Sequence, residues 1–311
     1  MTVEPENRLP TLEGALRALW DFWSRQGCLF LPPADFALPA GTLHPEMFFH
    51  LFGPDPWRAM LMQPVRRPLD ARRGEHPFRF SQPLQLVILL KPAPADGQDL
   101  FVQSLSAVGI DPSRHDLRFV ETAWSSRSLQ VRGTGWSAQL DGLGVGRLTY
   151  HRQAAGRELD PPSFEITYGL ERLLLLAHGG RDAGANPWSP QGATYGELRR
   201  QAEDEQARYV LEVAQAEFWH RRLAGLEEEA RRCLDKGLPR TAYEMALRSL
   251  LGIDILATQG EITLRERDQR LEALQEPIAA AIALALGETL PDGEPPGETL
   301  DGSPEEISDG P

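Results

Sequence analysis

The segment RRPLDARRGEHPFR, positions 66–79, gathers Arg66, Arg67, Arg72, Arg73 and Arg79 around only two acids, Asp70 and Glu75. Guanidinium groups bind phosphate oxygens in pairs and keep their charge when desolvated, so a loop of this kind between two strands can hold a polyphosphate. Composition alone fits a solvated loop whose charges pair with one another equally well. A second chemical segment is FEITYGLERL, positions 164–173. The alternation of an extended chain puts Glu165 and Thr167 on one strand face, and Glu171 and Arg172 begin the helix that follows. A core strand running into a capped helix would have the same pattern.

Both segments must be brought together by the elements around them. Thr11 is placed to cap a helix in which Leu12, Leu16, Leu19 and Trp23 recur at spacings of three and four. A section rich in proline and glycine follows from Leu31 to Pro68, with a short helix expected at Pro45–Phe52 and a strand at Ala59–Met62. Leu84–Leu90 is a continuous apolar run of strand length, and Leu117–Glu121, Gly135–Leu140 and Val145–Gln153 give three more strands. After Ile166 the period changes to helical. Glu197–Lys236 and Pro239–Thr258 carry apolar stripes separated by Lys-Gly-Leu-Pro, and Thr263 opens a last helix to about Leu286. The reading is an α+β body of antiparallel strands flanked by helices, with a C-terminal helical segment.

With 311 residues, 41% of them hydrophobic, the chain can bury a substantial core. No stretch offers the roughly 18 uninterrupted apolar residues needed to span a bilayer, and MTVEPENRLP lacks the pattern of a leader, so a cytoplasmic location is expected. Cys28 and Cys233 are far apart and read as buried apolar side chains. The net charge of -13 argues against a surface that grips nucleic acid throughout. Eight of the acids fall after Leu286, in residues 287–311, which leaves the rest of the chain at -5. That end is too polar to offset the entropy of folding and reads as a disordered tail. The expected division is thus an N-terminal extension, 1–10, a body, 11–195, a helical domain, 196–286, and the tail, 287–311.

A basic strand-loop-strand followed about a hundred residues later by a strand that enters a helix through Gly-Leu-Glu-Arg resembles motifs 2 and 3 of class II aminoacyl-tRNA synthetases. WSRQGC, AGTLHPE, GPDP, QPVRRPLDARRGEHP, KPAP, GIDPSRHDLRFVE, GWSAQLDG, EITYGLERL and TYGEL occur in the order and approximate spacing of the alpha chain of the bacterial two-subunit glycine-tRNA ligase. LPRTAYE and TLRERDQR extend the resemblance to the helical end. It implies a class II catalytic fold, a homodimer with Pro56 near the end of the dimer-forming motif 1, a separate beta chain that makes most of the tRNA contacts, and ATP and glycine as substrates. By the same resemblance Arg66 holds the α-phosphate and the substrate carboxylate, and Arg172 the γ-phosphate. Glu165 faces the glycine ammonium, and Thr42, Thr167 and Gln85 belong to the substrate pocket. Arg67, Glu75, Arg79 and Glu171 are the further ATP contacts.

Several positions depart from that family. A basic residue facing the phosphates and an aromatic ring stacked on adenine are replaced by Gln82 and Leu86, and a glutamine by Val87. Ser125, Ser126 and Arg127 stand in place of Glu-Asn-Pro, and Ser137 in place of a glutamate. The strand that supplies a carboxylate for ATP-bound Mg²⁺ reads Gly144-Val-Gly-Arg-Leu-Thr-Tyr-His-Arg-Gln, with Gly144 at the carboxylate position and Arg147 and Arg152 as new cations. The Mg²⁺ ligand is thereby left unknown. Three activities stay open: a glycine-tRNA ligase alpha chain, a paralogue that has lost adenylation and serves as a binding or regulatory module, and a synthetase-like ligase with another amino acid or acceptor.

Overall fold

A computed structural model describes residues 10–71 and 78–288 of the chain. Helix α1 (Leu12–Arg25) starts where the Thr11 hydroxyl accepts the Gly14 amide, and it buries Leu12, Ala15, Leu19, Phe22 and Trp23. The edge strand β1 (Leu29–Leu31) follows it. A single 3₁₀ turn, Gly41–Leu43, leads into the short helix α2 (Pro45–Phe48). Then come β2 (Trp57–Pro64) and β3 (Leu84–Lys91), with the arginine-rich connection between them.

The stretch beyond β3, left unassigned from the sequence, holds α3 (Gly97–Ala107), whose Leu100, Phe101, Ser104 and Leu105 are buried at helical spacing. A four-strand meander comes next: β4 (Leu117–Ser126), β5 (Val131–Leu140), β6 (Leu143–Ala154) and β7 (Arg157–Gly169). Tight two-residue turns close two of its hairpins, with positive φ at Asp141 and Gly142 and at Ala155 and Gly156. The first half of β7, unread from the sequence because of Asp160-Pro-Pro, is accommodated by an irregularity in its pairing with β6 between His151 and Gln153.

The seven strands form one sheet in the order β1-β2-β3-β7-β6-β5-β4, antiparallel throughout except for the parallel β1–β2 pair. One face packs Leu86, Ile88, Leu90, Leu148, Phe164, Ile166 and Tyr168 against α1, α3 and α4 (Leu170–Ala177). From the opposite face Ala59, Leu61, Val87 and Leu89 join a second core with α2 and the C-terminal helices.

Those helices are α5 (Tyr195–Arg208), α6 (Ala216–Asp235), α7 (Pro239–Gln259), α8 (Leu264–Ala273) and α9 (Gln275–Ala285). The single helix expected over 197–236 is two. Tyr209–Val213 widens into a π turn, Ala214 and Gln215 turn extended, and the freed Ala214 carbonyl accepts from the Gln259 side chain of α7 at 2.7 Å. The last helix, opened by Thr263 in a capping box with Glu266, also splits. Pro277 supplies no N–H to continue the ladder past Ala273, so a new helix starts at Gln275.

Candidate active site

The polar residues of the sheet gather on the face opposite α1. Across β3, β7 and β6 the paired positions Gln85, Val87–Thr167 and Thr167–Arg147, with Glu165–Thr149, put a stripe of hydrogen-bonding groups on one surface. The Gly41–Leu43 turn lies on this stripe. Its Gly41 amide donates to Gln85 Oε1 at 2.9 Å, and a Cβ on Gly41 would come within 2.5 Å of Val87 Cγ2, so only glycine lets the turn settle so closely.

Glu165 is the centre of this end. Its Oε1 accepts from the Thr42 hydroxyl at 2.6 Å and from the Thr167 hydroxyl at 3.0 Å, while its Oε2 lies 3.4 Å from His151 Nε2. All four side chains are buried. Thr42, Glu165, Thr167 and Gln85, the residues expected at the amino-acid end, thus lie together around the Gly41–Leu43 turn. His151 is an addition that the sequence did not single out, although Arg147, Thr149 and His151 alternate as a polar face along β6. From the other side Tyr243 of α7 donates to the Leu43 carbonyl at 3.0 Å, so the turn is pinned from above as well as below.

The arginine end lies where β2 and β3 part. The Arg66 amide donates to the Leu38 carbonyl and the Arg67 amide to the Ser81 carbonyl, each at 2.7 Å. Arg67 Nε also reaches the Pro39 carbonyl at 3.1 Å. Burial, followed by the facing Arg199 guanidinium, pushes Arg66 below its ordinary pKa, against a smaller pull from Glu203. Arg67 is pushed down by burial too; Asp70 opposes this, and Arg147 and Arg79 add to it. The phosphate-binding candidates Arg66, Arg67 and Arg79 thus share one neighbourhood with Arg147 and Arg199. Glu75, Arg72 and Arg73 lie outside the described residues.

The nearby acids are already engaged. Glu203 of α5 accepts from the Ser81 amide, the Ser81 hydroxyl and the Gln82 amide at 2.7–2.8 Å. Glu171 is turned inward, where its Oε1 accepts from the Leu84 amide and the Tyr195 hydroxyl, both at 2.7 Å. Burial raises its pKa against those hydrogen bonds. It fixes the start of β3 to the start of α5.

Arg172 stands at the third corner. Its Nη1 donates to the Gly144 carbonyl at 3.4 Å, and its guanidinium lies 6.0 Å from the centre of the Phe78 ring. A Cβ on Gly144 would sit 3.6 Å from Ser137 Oγ and 3.8 Å from Arg172 Nη1. A hydroxyl, a carbonyl bonded to Arg172 and the guanidinium itself are a donor set that does not fit a hard divalent cation. Among the described residues no three His, Cys, Asp or Glu side chains group as a metal site.

Three positions singled out for departing from the family pattern lie away from this surface. Leu86 pairs with Tyr168 and points into the core beneath the sheet, because strand alternation puts it opposite to Gln85 and Val87. It is no platform for a nucleotide ring. Arg127 is occupied in a turn, paired with Glu272 at 3.1 Å, and Arg152 is exposed.

Two solved structures of pyrrolysyl-tRNA synthetase from Desulfitobacterium hafniense resemble the fold distantly. They share 13% and 14% sequence identity with TM-scores of 0.43 and 0.42, covering 60% of this chain and 77% and 76% of theirs. Likeness at that level adds nothing to the assignment. The family model described as glycyl-tRNA synthetase alpha subunit matches residues 12–288, which takes in the Gly41–Leu43 turn, the arginine cluster, Glu165, Arg172 and the C-terminal helices. The chain belongs to the glycyl-tRNA synthetase alpha subunit family.

Proposed function

We propose that the chain activates glycine with ATP and, with a beta chain, passes it to tRNA. The observation that carries this reading is the charge arrangement of one sheet face: a buried carboxylate, Glu165, at one end and the arginines Arg66, Arg67 and Arg199 at the other. An amino acid bound by its ammonium at Glu165 directs its carboxylate toward Arg66. The carboxylate oxygen then forms a bond to the α-phosphorus of ATP as the bond to the pyrophosphate oxygen breaks, and pyrophosphate leaves with the electron pair. Guanidinium groups at that place stabilise the charge that builds up in the transition state. In the second step a ribose hydroxyl at the end of tRNA attacks the acyl carbon and AMP leaves. The tight seat of Gly41 on Val87 supports a small substrate.

The roles in this reading are these. Arg66 and Arg67 serve the phosphates nearest the reacting atom, with Arg79 beside them, and Arg172 takes the far end. Thr42, Thr167 and Gln85 shape the amino-acid end, and Glu171 acts by fixing β3 against α5. Residues 11–195 form the catalytic body and 196–286 a helical arm that steadies it. A second copy and a beta chain complete the assembly, in keeping with the acidic charge of this chain and with work in the cytoplasm. No helix among the described residues is long and apolar enough to cross a membrane.

The test is amino-acid-dependent exchange of labelled pyrophosphate into ATP by the purified chain, alone and with its beta chain. Glycine should support exchange, and Arg66→Ala should lower it by at least about a hundredfold, the scale seen when a transition-state charge donor is removed. Exchange with another amino acid but not glycine would assign a different substrate. A second reading, a chain that has lost adenylation, is favoured by one observation: at the family's carboxylate position Gly144 has no side chain, and the nearest side-chain atoms to a Cβ there are the Ser137 hydroxyl and the Arg172 guanidinium, which are poor ligands for a divalent cation. Absence of exchange with every amino acid, in the presence of the beta chain, would select it.

A further inference from the structure

Helix α5 carries a cation into the arginine end that no motif marks. Thr194 and Glu197 cap the helix, and Tyr195, 1% exposed, anchors its first turn through Glu171 and through the Phe80 and Trp188 rings at 5.0 and 5.8 Å. Arg199 and Glu203 follow at spacings of four, so all three lie on one helix face. Glu203 clamps Ser81 and Gln82, Gln82 Nε2 donates back to the Ala202 carbonyl at 2.9 Å, and Arg199 Nη2 donates to the Gln82 carbonyl at 3.1 Å. The Arg199 guanidinium is thus fixed at the edge of the β2–β3 connection.

Two features bear on what this arrangement can do. Arg199 Nε is buried and, among the described residues, has no hydrogen-bond partner. A buried donor left unpaired costs stability unless a ligand later satisfies it. Arg199 also faces Arg66 closely enough to disfavour its charge, while Glu203, an acid near Arg66 and one turn along the helix from Arg199, spends its oxygens on Ser81 and Gln82. Two like charges held together with their counter-ion diverted form a receptor for a polyanion.

The register of the sheet says which polyanion. Glu165 lies opposite Leu89, whereas Arg199 is fixed two residues before Leu84. At the rise of an extended chain, Leu84 and Leu89 alone are about 17 Å apart. That separation places Arg199 beyond the reacting carboxylate, on the side of the leaving phosphates. We propose that Arg199 is a second phosphate-binding arginine, which works with Arg66 to bind the pyrophosphate end of ATP and to hold pyrophosphate as it departs. The proposal rests on the adenylating function proposed above for the direction in which the triphosphate lies from Glu165 and for naming it as ATP.

The experiment measures binding of inorganic pyrophosphate, ATP and AMP to the full chain and to Arg199→Gln and Arg199→Lys by calorimetry, with the unliganded melting temperature of each. Loss of one charged pair of hydrogen bonds should weaken pyrophosphate and ATP by about tenfold or more in Arg199→Gln. AMP should bind unchanged, and Arg199→Lys should recover part of the loss. Unaltered pyrophosphate affinity in Arg199→Gln, an equal loss for AMP, or no pyrophosphate binding by the unmodified chain would overturn the proposal. Pyrophosphate binding that depends on Arg199, with no exchange for any amino acid, keeps it and removes the adenylating function. Exchange with an unchanged KM for ATP in Arg199→Gln does the reverse.

Discussion

Glu171 shows how a residue expected to touch ATP can contribute without touching it. Its carboxylate is sealed under the start of β3, and burial holds its pKa above the ordinary glutamate value. Because the folded state binds the proton more tightly than the unfolded chain does, the associated stability is present below the ordinary value and is lost as the pH climbs through the raised one. Glu171→Gln should therefore flatten the rise of urea resistance toward acid pH seen in the parent chain; parallel curves for the two proteins would refute the assignment. Leu86 gives a second contrast. Read by its place in a motif it invites a ring; read by strand alternation it is core. Leu86→Phe should lower unfolding stability by about 1–3 kcal/mol through overpacking and leave ATP affinity as it was, as denaturant titration and calorimetry would report. Arg66, Glu165 and Arg172 were singled out because residue type and motif spacing agree. His151 and Arg199 were not, since a histidine in a strand and one arginine on a polar helix carry no local signal of what the fold sets beside them.

Among the elements, those with chemical punctuation were read correctly from the sequence. Thr11 and Thr263 start helices where an oxygen was available to cap them. The break between α5 and α6 has no such mark, for the apolar period of Tyr209–Val213 runs on, and it is Gln259 of α7, distant in sequence, that stabilises the opened carbonyl. Helix α7 also steadies the Gly41–Leu43 turn. Tyr243 stacks on Phe48 with ring centres 5.0 Å apart and bonds to Leu43 next to Thr42. Tyr243→Phe keeps the stacking and leaves a buried carbonyl unpaired, a cost of about 1–3 kcal/mol. It should lower the melting temperature and raise the KM for the amino acid more than that for ATP. Equal changes in both constants would mean that the turn belongs to the whole site rather than to its amino-acid end.

For the whole molecule, the two cores on either side of the sheet follow from its alternation of apolar residues, and the family match over 12–288 agrees with the order of motifs along the chain. One edge of the sheet carries an exposed apolar patch. Strand β1 has a neighbour on one side only, and beside it Trp20, 45% exposed, stacks on Phe30, 42% exposed, with ring centres 3.9 Å apart. Leu29, 56% exposed, extends this apolar patch. An open edge with rings beside it suits a second copy. Light scattering should find a dimer for the parent chain and a monomer for Trp20→Glu combined with Phe30→Glu, with helix content retained. A dimer that survives both changes would move the interface elsewhere.

The Gly41–Leu43 turn has a further property as a node shared by two bodies. It is bonded below to Gln85 and Glu165 of the sheet and above to Tyr243 of the helical arm. Whatever changes the order of this turn is therefore felt by both. If an amino acid binds at this turn, a partner that orders it through α7 should tighten that binding, and by thermodynamic reciprocity the amino acid should tighten the partner by the same factor. Affinity of the alpha chain for its beta chain, measured with and without a saturating amino acid, would give that coupling free energy directly.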